Sequence, residues 1–499
     1  VTVVPIAAFG RNIDVGSCHS LNLGHLYHMG RDEGGAGHLR SVAIDIDSLG
    51  MHTFITGSTG SGKSTVIYSM LEQLMNESIS NNPADKIKFL VIEPAKGEYK
   101  HRFGYYKNVQ VYGTNAQKTP LLRINPFSFP DDIHVLEHIE RLIEIFNVCW
   151  PMYAAMPAVL KDAVERAYVA CGWSLDTSVC RILDSKGNPL YPNFVDVLTQ
   201  INTVMNESQY SADSKGDYKG ALSTRIKSLT NGLYRQIFTA DEIPAKELFD
   251  ENVIVDLSRT ASSETRALIM GLLVMKLQEY RMSCVAAPNQ PLRHITVLEE
   301  AHHILKRTSM EQNSESSNLL GKSVEMLSNS IAEMRTYGEG FIIADQAPGL
   351  IDLAAIRNTN TKIILRLPDF SDRQLVGASA GLNQEQIIEL SRLNTLIAAV
   401  YQNDWLEPVL CHIVPQFKEN RLYINPDCRQ GCLSDKQRLV QFLLMPPIDK
   451  KRLEQKQIME LTDILFKMPV SAEVKLAFPQ YARAQEKKEV QQLRGLIIR

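Results

Sequence analysis

The chain has 499 residues, 44% hydrophobic and 22% charged, with a formal net charge of -3 at pH 7. That length and balance predict a soluble globular protein with a large core in about two to four domain-sized pieces; they exclude a basic coat, so any nucleic-acid contact has to be local. No uninterrupted apolar run reaches the roughly 18 residues of a membrane helix and no signal-peptide pattern opens the chain, which predicts no membrane insertion. Eight scattered cysteines read as thiols of a reducing cytoplasm rather than a disulfide framework. The chain opens on Val1 rather than Met, as a segment of a longer product would.

Residues 1–46 hold short β-like runs and a Gly-rich loop at 30–37, too little for an independent barrel. The apolar run 52–56 reads as a strand feeding Gly57-Ser58-Thr59-Gly60-Ser61-Gly62-Lys63-Ser64, which fits the phosphate-loop pattern G-x-x-x-x-G-K-[ST] at every constrained position. Residues 65–75 read as the helix that leaves it, so Thr65 falls in its first turn and joins the expected nucleotide contacts. Glycines let several N–H groups converge on the phosphates at the positive end of that helix. Lys63 is expected to reach the β and γ phosphates of ATP, and the Ser64 hydroxyl to ligate Mg²⁺.

Further strand-like runs at 89–93, 109–112, 253–257, 295–299, 341–344, 362–367 and 396–401 alternate with helical patterns, the signature of a mainly parallel α/β sheet. Between 133 and 238 the strand signal lapses, and helical spacing at 135–146 and 158–171 predicts a helical insertion, with polar residues 206–220 as a mobile loop. After Cys432 helical pieces return at 433–444, 451–466 and 481–498, and from Gly431 onward 13 Lys/Arg stand against 8 Asp/Glu. The expected divisions are a β-rich segment (1–47), a first core part with the phosphate loop (48–130), the helical insertion (131–250), a second core part (251–430) and a helical C-terminal region (431–499).

Hydrolysis also needs carboxylates for the metal and for the attacking water. His294-Ile295-Thr296-Val297-Leu298-Glu299-Glu300 supplies both, because a buried strand ending in two acids presents them at its carboxyl edge beside the phosphate loop. Glu299 is assigned to the Mg²⁺ shell and Glu300 to the general base. Two lesser patterns occur. Cys411, His412, Cys428 and Cys432 have loose zinc spacing, although adjacent Cys and His on a strand point to opposite faces. His134-Val135-Leu136-Glu137-His138 matches a metallopeptidase pattern, H-x-x-E-H, without an obvious third ligand.

With the phosphate loop and Leu298-Glu299-Glu300-Ala301-His302 stand three more motifs. They are Val91-Ile92-Glu93-Pro94-Ala95-Lys96-Gly97-Glu98-Tyr99, Glu333-Met334-Arg335-Thr336-Tyr337-Gly338 and Ile342-Ile343-Ala344-Asp345-Gln346-Ala347-Pro348. In this order, over residues 52 to about 413, the chain resembles the HerA-type ATPases of the HerA/FtsK branch of P-loop motor proteins. The resemblance implies a RecA-like P-loop NTPase core in which Gln346 senses the γ-phosphate or orients water, Arg335 stabilises charge developing on the phosphoryl group, and Glu93 sits near the nucleotide. The amino-terminal β-barrel of such motors is shortened or absent here, and the insertion is large.

The same resemblance implies a homo-oligomer, a hexameric ring that threads double-stranded DNA, with an arginine from one subunit completing its neighbour's site. Arg366 is the first choice for that role, with Arg357 and Arg373 as alternatives. The polar segment 306–322, carrying Lys306, Arg307 and Lys322, is a candidate pore loop for sequence-independent backbone contact. Two other readings remain: a VirB4-like secretion or conjugation ATPase, and an ATP-gated scaffold for an effector such as a nuclease or NAD-consuming enzyme in antiphage defence.

Overall fold

The computed structural model describes residues 7–11, 19–35, 38–76, 86–284, 287–308, 319–416, 420–426, 439, 442 and 455–483. The chain divides into two compact units, Val1–Gly113 with Ala245–Ile424, and Thr114–Pro244 with Asn425–Arg499.

The first unit is built on one sheet whose main strands are β1 (Ser20–His28), β2 (Ser41–Asp45), β3 (Thr53–Thr56), β4 (Lys88–Glu93), β5 (Val109–Gly113), β6 (Asn252–Asp256), β7 (His294–Glu299), β8 (Glu339–Asp345), β9 (Thr361–Ile364), β10 (Ile397–Gln402) and β11 (Val409–Ile413). In spatial order β5-β6-β4-β7-β8-β3-β9 run parallel. Beyond β9 the pairing turns antiparallel through β10, β11, β1 and β2. Every residue of β3, β6, β7 and β8 is buried, as strands covered on both faces require. Helix α1 (Lys63–Asn76) leaves β3 and buries Val66, Ile67, Met70, Leu71 and Leu74 in the core. Each such side chain contributes about 1.5–3 kcal/mol of transfer free energy, so the helix that carries the phosphate loop is firmly anchored. At Gly24 in β1 an added Cβ would lie 2.0 Å from the His412 carbonyl oxygen, so only glycine allows β1 and β11 to close.

In the second unit helices Val135–Cys149, Met156–Ala170, Phe194–Glu207 and Ala212–Leu229 are joined by Gln455–Lys467 and Ala472–Arg483. Phe127, Tyr168, Phe194 and Trp173 are buried in this unit. A capping box of Asn193 and Asp196 starts helix Phe194–Glu207, and Asp196 also accepts the Ala472 amide at 2.6 Å, tying C-terminal chain to the insertion. The stretch expected as a mobile loop, 206–220, is largely helix instead: Ser211 caps Ala212–Leu229, which buries only Leu222, Ile226 and Leu229. A helix with so few apolar residues gives almost no periodic signal. Of the expected C-terminal helices, 451–466 overlaps Gln455–Lys467, whereas most of 433–444 and of 481–498 lies outside the described residues.

Candidate nucleotide site

The loop 57–62 connects β3 to α1 at the carboxyl edge of the parallel strands, where α/β sheets bind ligands. Gly60 and Gly62 have φ of 75° and 111°, and a Cβ on Gly62 would sit 2.6 Å from the Leu396 side chain. The loop is braced on its flank by Ser58 N donating to Arg366 O (2.8 Å) and Leu396 N to Ser61 O (3.0 Å). Among the described residues the buried hydroxyl oxygens of Ser58 and Ser61 have no hydrogen-bond partner. Lys63 Nζ donates to Gly57 O at 3.3 Å; burial lowers its pKa, opposed by the charges of Glu300, Glu299 and Asp345. An anion in the loop would satisfy each of these groups.

Two strands, β7 and β8, bring the acids and amide to that loop. Glu299 ends β7, is buried, and accepts a 2.7 Å hydrogen bond from Tyr99 Oη, while burial raises its pKa. Glu300 follows in a left-handed conformation (φ 48°, ψ 49°), which is uncommon for a residue with a side chain and marks stored strain. Its carboxylate accepts from Gln346 Nε2, and Gln346 Oε1 accepts from Thr59 Oγ1 at 2.6 Å. A continuous chain of hydrogen bonds thus runs from the phosphate loop through Gln346 to Glu300.

Asp345 was not singled out by the sequence. It is buried at the end of β8 and accepts from both His302 N (3.0 Å) and His302 Nδ1 (2.8 Å). Burial alone would push its pKa up, but the bonds from His302 and Ala347 N hold it below the ordinary value; His302 is raised in turn by Asp345. Ligand atoms of Glu300, His302 and Asp345 lie within 4.8 Å of one another. Contacts 43 residues apart leave no local pattern to read.

Glu93, which ends β4, has both carboxylate oxygens bonded by backbone. Its oxygens accept Glu98 N (2.7 Å) and Tyr99 N (3.3 Å), and burial raises its pKa to about 8. It shapes the turn that carries Tyr99 to Glu299.

The structure does not bring Arg335 to the phosphate loop. Arg335 lies in the turn Met334–Tyr337 just before β8, whereas Gln346 follows β8, and a seven-residue strand spans about 20 Å. Arg335 and Arg357 are both exposed at this amino edge and line a cleft of about 580 Å³ with Asn358, Asn360 and Asn403. Arg366 instead lies beside its own phosphate loop. Arg373 is buried, with its guanidinium donating to Leu367 O (3.0 Å) and Pro368 O, so it braces the backbone.

The remaining candidates are resolved by their partners. His134 caps the Leu136 amide and His138 stacks on Phe129 at 4.8 Å, so the metallopeptidase pattern is a helix start over an aromatic core. Cys411 is buried, His412 bonds Asp32 at 2.9 Å, and Cys428 and Cys432 lie outside the described residues. At the base of the expected pore loop, Arg307 N donates to Leu350 O at 2.7 Å; 309–318 lie outside the described residues. Among the described residues no helix is long and apolar enough to cross a membrane.

Several known proteins are similar to this chain. A DNA double-strand break repair helicase HerA of Sulfurisphaera tokodaii is 23% identical over 378 residues, covering 74% of this chain and 66% of that protein. The chain thus spans just under two thirds of that relative's length. VirB4 of Thermoanaerobacter pseudethanolicus has a TM-score of 0.55 at 17% identity, over 80% of this chain and 97% of that one. The plasmid coupling protein TrwB in complex with ADP and Mg²⁺ has a TM-score of 0.52 at 11% identity, over 84% of this chain and 100% of that one. At such identities the likeness shows the fold, a RecA-like P-loop ATPase core with a mainly parallel sheet. A family model described as the central domain of the helicase HerA matches residues 21–277, over half of the chain and including the phosphate loop. The chain belongs to this HerA family of P-loop ATPases.

Proposed function

We propose that the chain is the ATP-hydrolysing subunit of a cytoplasmic homo-oligomeric ring, a hexamer, that translocates on double-stranded DNA. The observation that carries the reading is the bonded series Thr59–Gln346–Glu300, which links phosphate loop, sensing amide and base across three elements. Its DNA substrate is suggested by the relative named a DNA double-strand break repair helicase.

The residues present fit a magnesium nucleotide. The unpartnered hydroxyls of Ser58 and Ser61 face the need of an anion, and the buried Glu299 lacks a bonded cation among the described residues. Ser64 and Glu299 would hold Mg²⁺, which when bound screens phosphate charge and polarises the transferring phosphoryl group. Lys63 and the loop amides hold the β and γ phosphates, Gln346 orients a water, and Glu300 takes its proton. Asp345 and His302 flank Glu300, and the bond to Asp345 favours the protonated imidazole beside it.

Arg335 and Arg357, on the far edge of the sheet from their own phosphate loop, serve a neighbouring subunit; Arg366 acts within its own. Asn360 supports the use of that edge, because its buried Nδ2 lines the cleft without a partner among the described residues. An effector such as a nuclease or NAD-consuming enzyme would couple to the ring, and co-purification tests that pairing.

The backbone likeness to VirB4 favours one second reading, a conjugation or secretion ATPase. Measuring ATP hydrolysis with and without duplex DNA, over a salt series, separates the two. The translocase predicts stimulation and binding that falls with salt at a log–log slope of about 0.9 per phosphate contacted. Duplex DNA that neither binds at low salt nor stimulates turnover rejects the translocase.

A further inference from the structure

We propose that Lys96 is a second phosphate-binding cation of this site, meeting the terminal phosphate of a bound nucleoside triphosphate across from Lys63. The inference rests on the nucleotide-site reading and adds to it a residue that distinguishes triphosphate from diphosphate.

Strand β4 pairs directly with β7, with Ile92 opposite Leu298, so the turn after β4 leaves the sheet beside Glu299. That turn is built around two successive left-handed residues, Lys96 (φ 65°) and Gly97 (φ 69°). Glycine is needed at 97, where a Cβ would come within 2.9 Å of both Ser258 Oγ and Lys100 Nζ. Lysine at 96 is not favoured by its backbone at all, since a left-handed conformation crowds its own Cβ. Strain of this kind persists only where the surroundings over-determine it, and it gathers at functional sites.

The surroundings do over-determine it. Glu93 clamps the amides of Glu98 and Tyr99, Gly97 N closes on Ala95 O at 2.8 Å, and Lys100 pairs with Asp256 beneath the turn. Tyr99 Oη then bonds Glu299, so the turn is fixed to the metal-binding acid itself. The carboxylates around the turn have other partners: Glu93 the backbone, Asp256 Lys100, Glu299 Tyr99, and Glu98 the Tyr68 hydroxyl at 3.4 Å. Lys96 is exposed and has no hydrogen bond or ion pair among the described residues.

An uncompensated ammonium on a rigid strained turn that is fixed to the metal acid is a receptor for anionic oxygen. Lys63 and the loop amides take the β-phosphate and one side of the terminal phosphate. The oxygens left on the metal-acid side are those of the terminal phosphate, which a diphosphate lacks.

The test is equilibrium binding of fluorescent ADP and a non-hydrolysable fluorescent ATP analogue, with Mg²⁺, to the full chain and to Lys96→Gln, Lys96→Arg, Lys96→Gly and Lys63→Ala. Lys96→Gln should weaken the triphosphate analogue by about tenfold, the size of a lost charge-assisted contact, while leaving ADP within twofold. Lys96→Arg should recover most of the loss. Lys96→Gly should show the same selective loss with a melting temperature no lower than wild type, because glycine relieves the turn; this rules out misfolding as the cause. Lys63→Ala should weaken both nucleotides. Unchanged affinities in Lys96→Gln, or an equal fall for ADP and the triphosphate analogue, would overturn the proposal while leaving the nucleotide site standing. A wild-type chain that binds neither nucleotide would overturn both.

Discussion

In the proposed mechanism Glu300, left-handed in its backbone and bonded by Gln346, takes the proton of the attacking water rather than holding the nucleotide. Glu300→Gln should accordingly bind ATP with Mg²⁺ like wild type while single-turnover hydrolysis slows by about 10²- to 10⁴-fold, since an amide cannot accept the proton. If that variant loses nucleotide binding while Glu299→Gln keeps its turnover, the two acids exchange roles. Both acids were readable in the sequence because a run of buried apolar residues ended on them. Asp345 was not, although it stands one residue before Gln346, because its significance comes from His302 on another strand's end. Arg335 shows the opposite failure: its motif was legible, but only the length of β8 reveals that it cannot reach its own phosphate loop.

Among the elements, β8 carries a charged group at each end, and the buried amino end has a measurable signature. Burial would raise Glu339, yet His294 Nδ1 (2.8 Å), Arg281 Nε (2.9 Å) and Thr296 Oγ1 (2.7 Å) hold its pKa down from 4.5 to about 2. A carboxyl depressed in the folded state gives stability that is present above the unfolded value and lost as pH falls from 4.5 toward 2. Glu339→Gln should cost roughly 3–5 kcal/mol near neutral pH, by leaving Arg281 under-compensated, and should flatten acid unfolding over that window in a denaturant series. A variant as stable as wild type would show the network to be dispensable. In helix Ala472–Arg483 the logic reverses. Lys475 is buried, its Nζ has no hydrogen-bond partner among the described residues, and burial lowers its pKa. Its folded form resists the proton, so stability should rise with pH below 10.5, and Lys475→Met should stabilise by on the order of 1–2 kcal/mol and remove that slope in thermal unfolding. Continuous Val/Ile strands such as β6 and β7 were legible because both faces are buried. By contrast β1, with its alternating half-buried and buried residues, was legible only as a short β-like run, and Ala212–Leu229, which buries three side chains in five turns' length, did not stand out.

At the level of the whole molecule, the opposed edges of the sheet set the rule for sharing sites. The phosphate loop, Glu299, Glu300 and Gln346 occupy the carboxyl edge, and Arg335 and Arg357 the amino edge. In the proposed ring, arginines at the amino edge reach a phosphate loop only when subunits meet head to tail, the arrangement that closes rings. Equal mixtures of Arg335→Ala and Lys63→Ala protein should therefore regain ATPase activity, because some junctions pair an intact loop with an intact arginine. With random assembly about a quarter of the junctions are of that kind, so activity should approach roughly a quarter of wild type. Arg366 lies beside its own loop, and a mixture of Arg366→Ala with Lys63→Ala should recover nothing, since every subunit then carries its own defect. Recovery in the second mixture and not the first, with subunit exchange shown by fluorescence transfer between labelled chains, would return the shared role to Arg366. A protein that hydrolyses ATP at full rate as a monomer at micromolar concentration would remove shared sites altogether, and with them the reason for two exposed arginines at the far edge of the sheet.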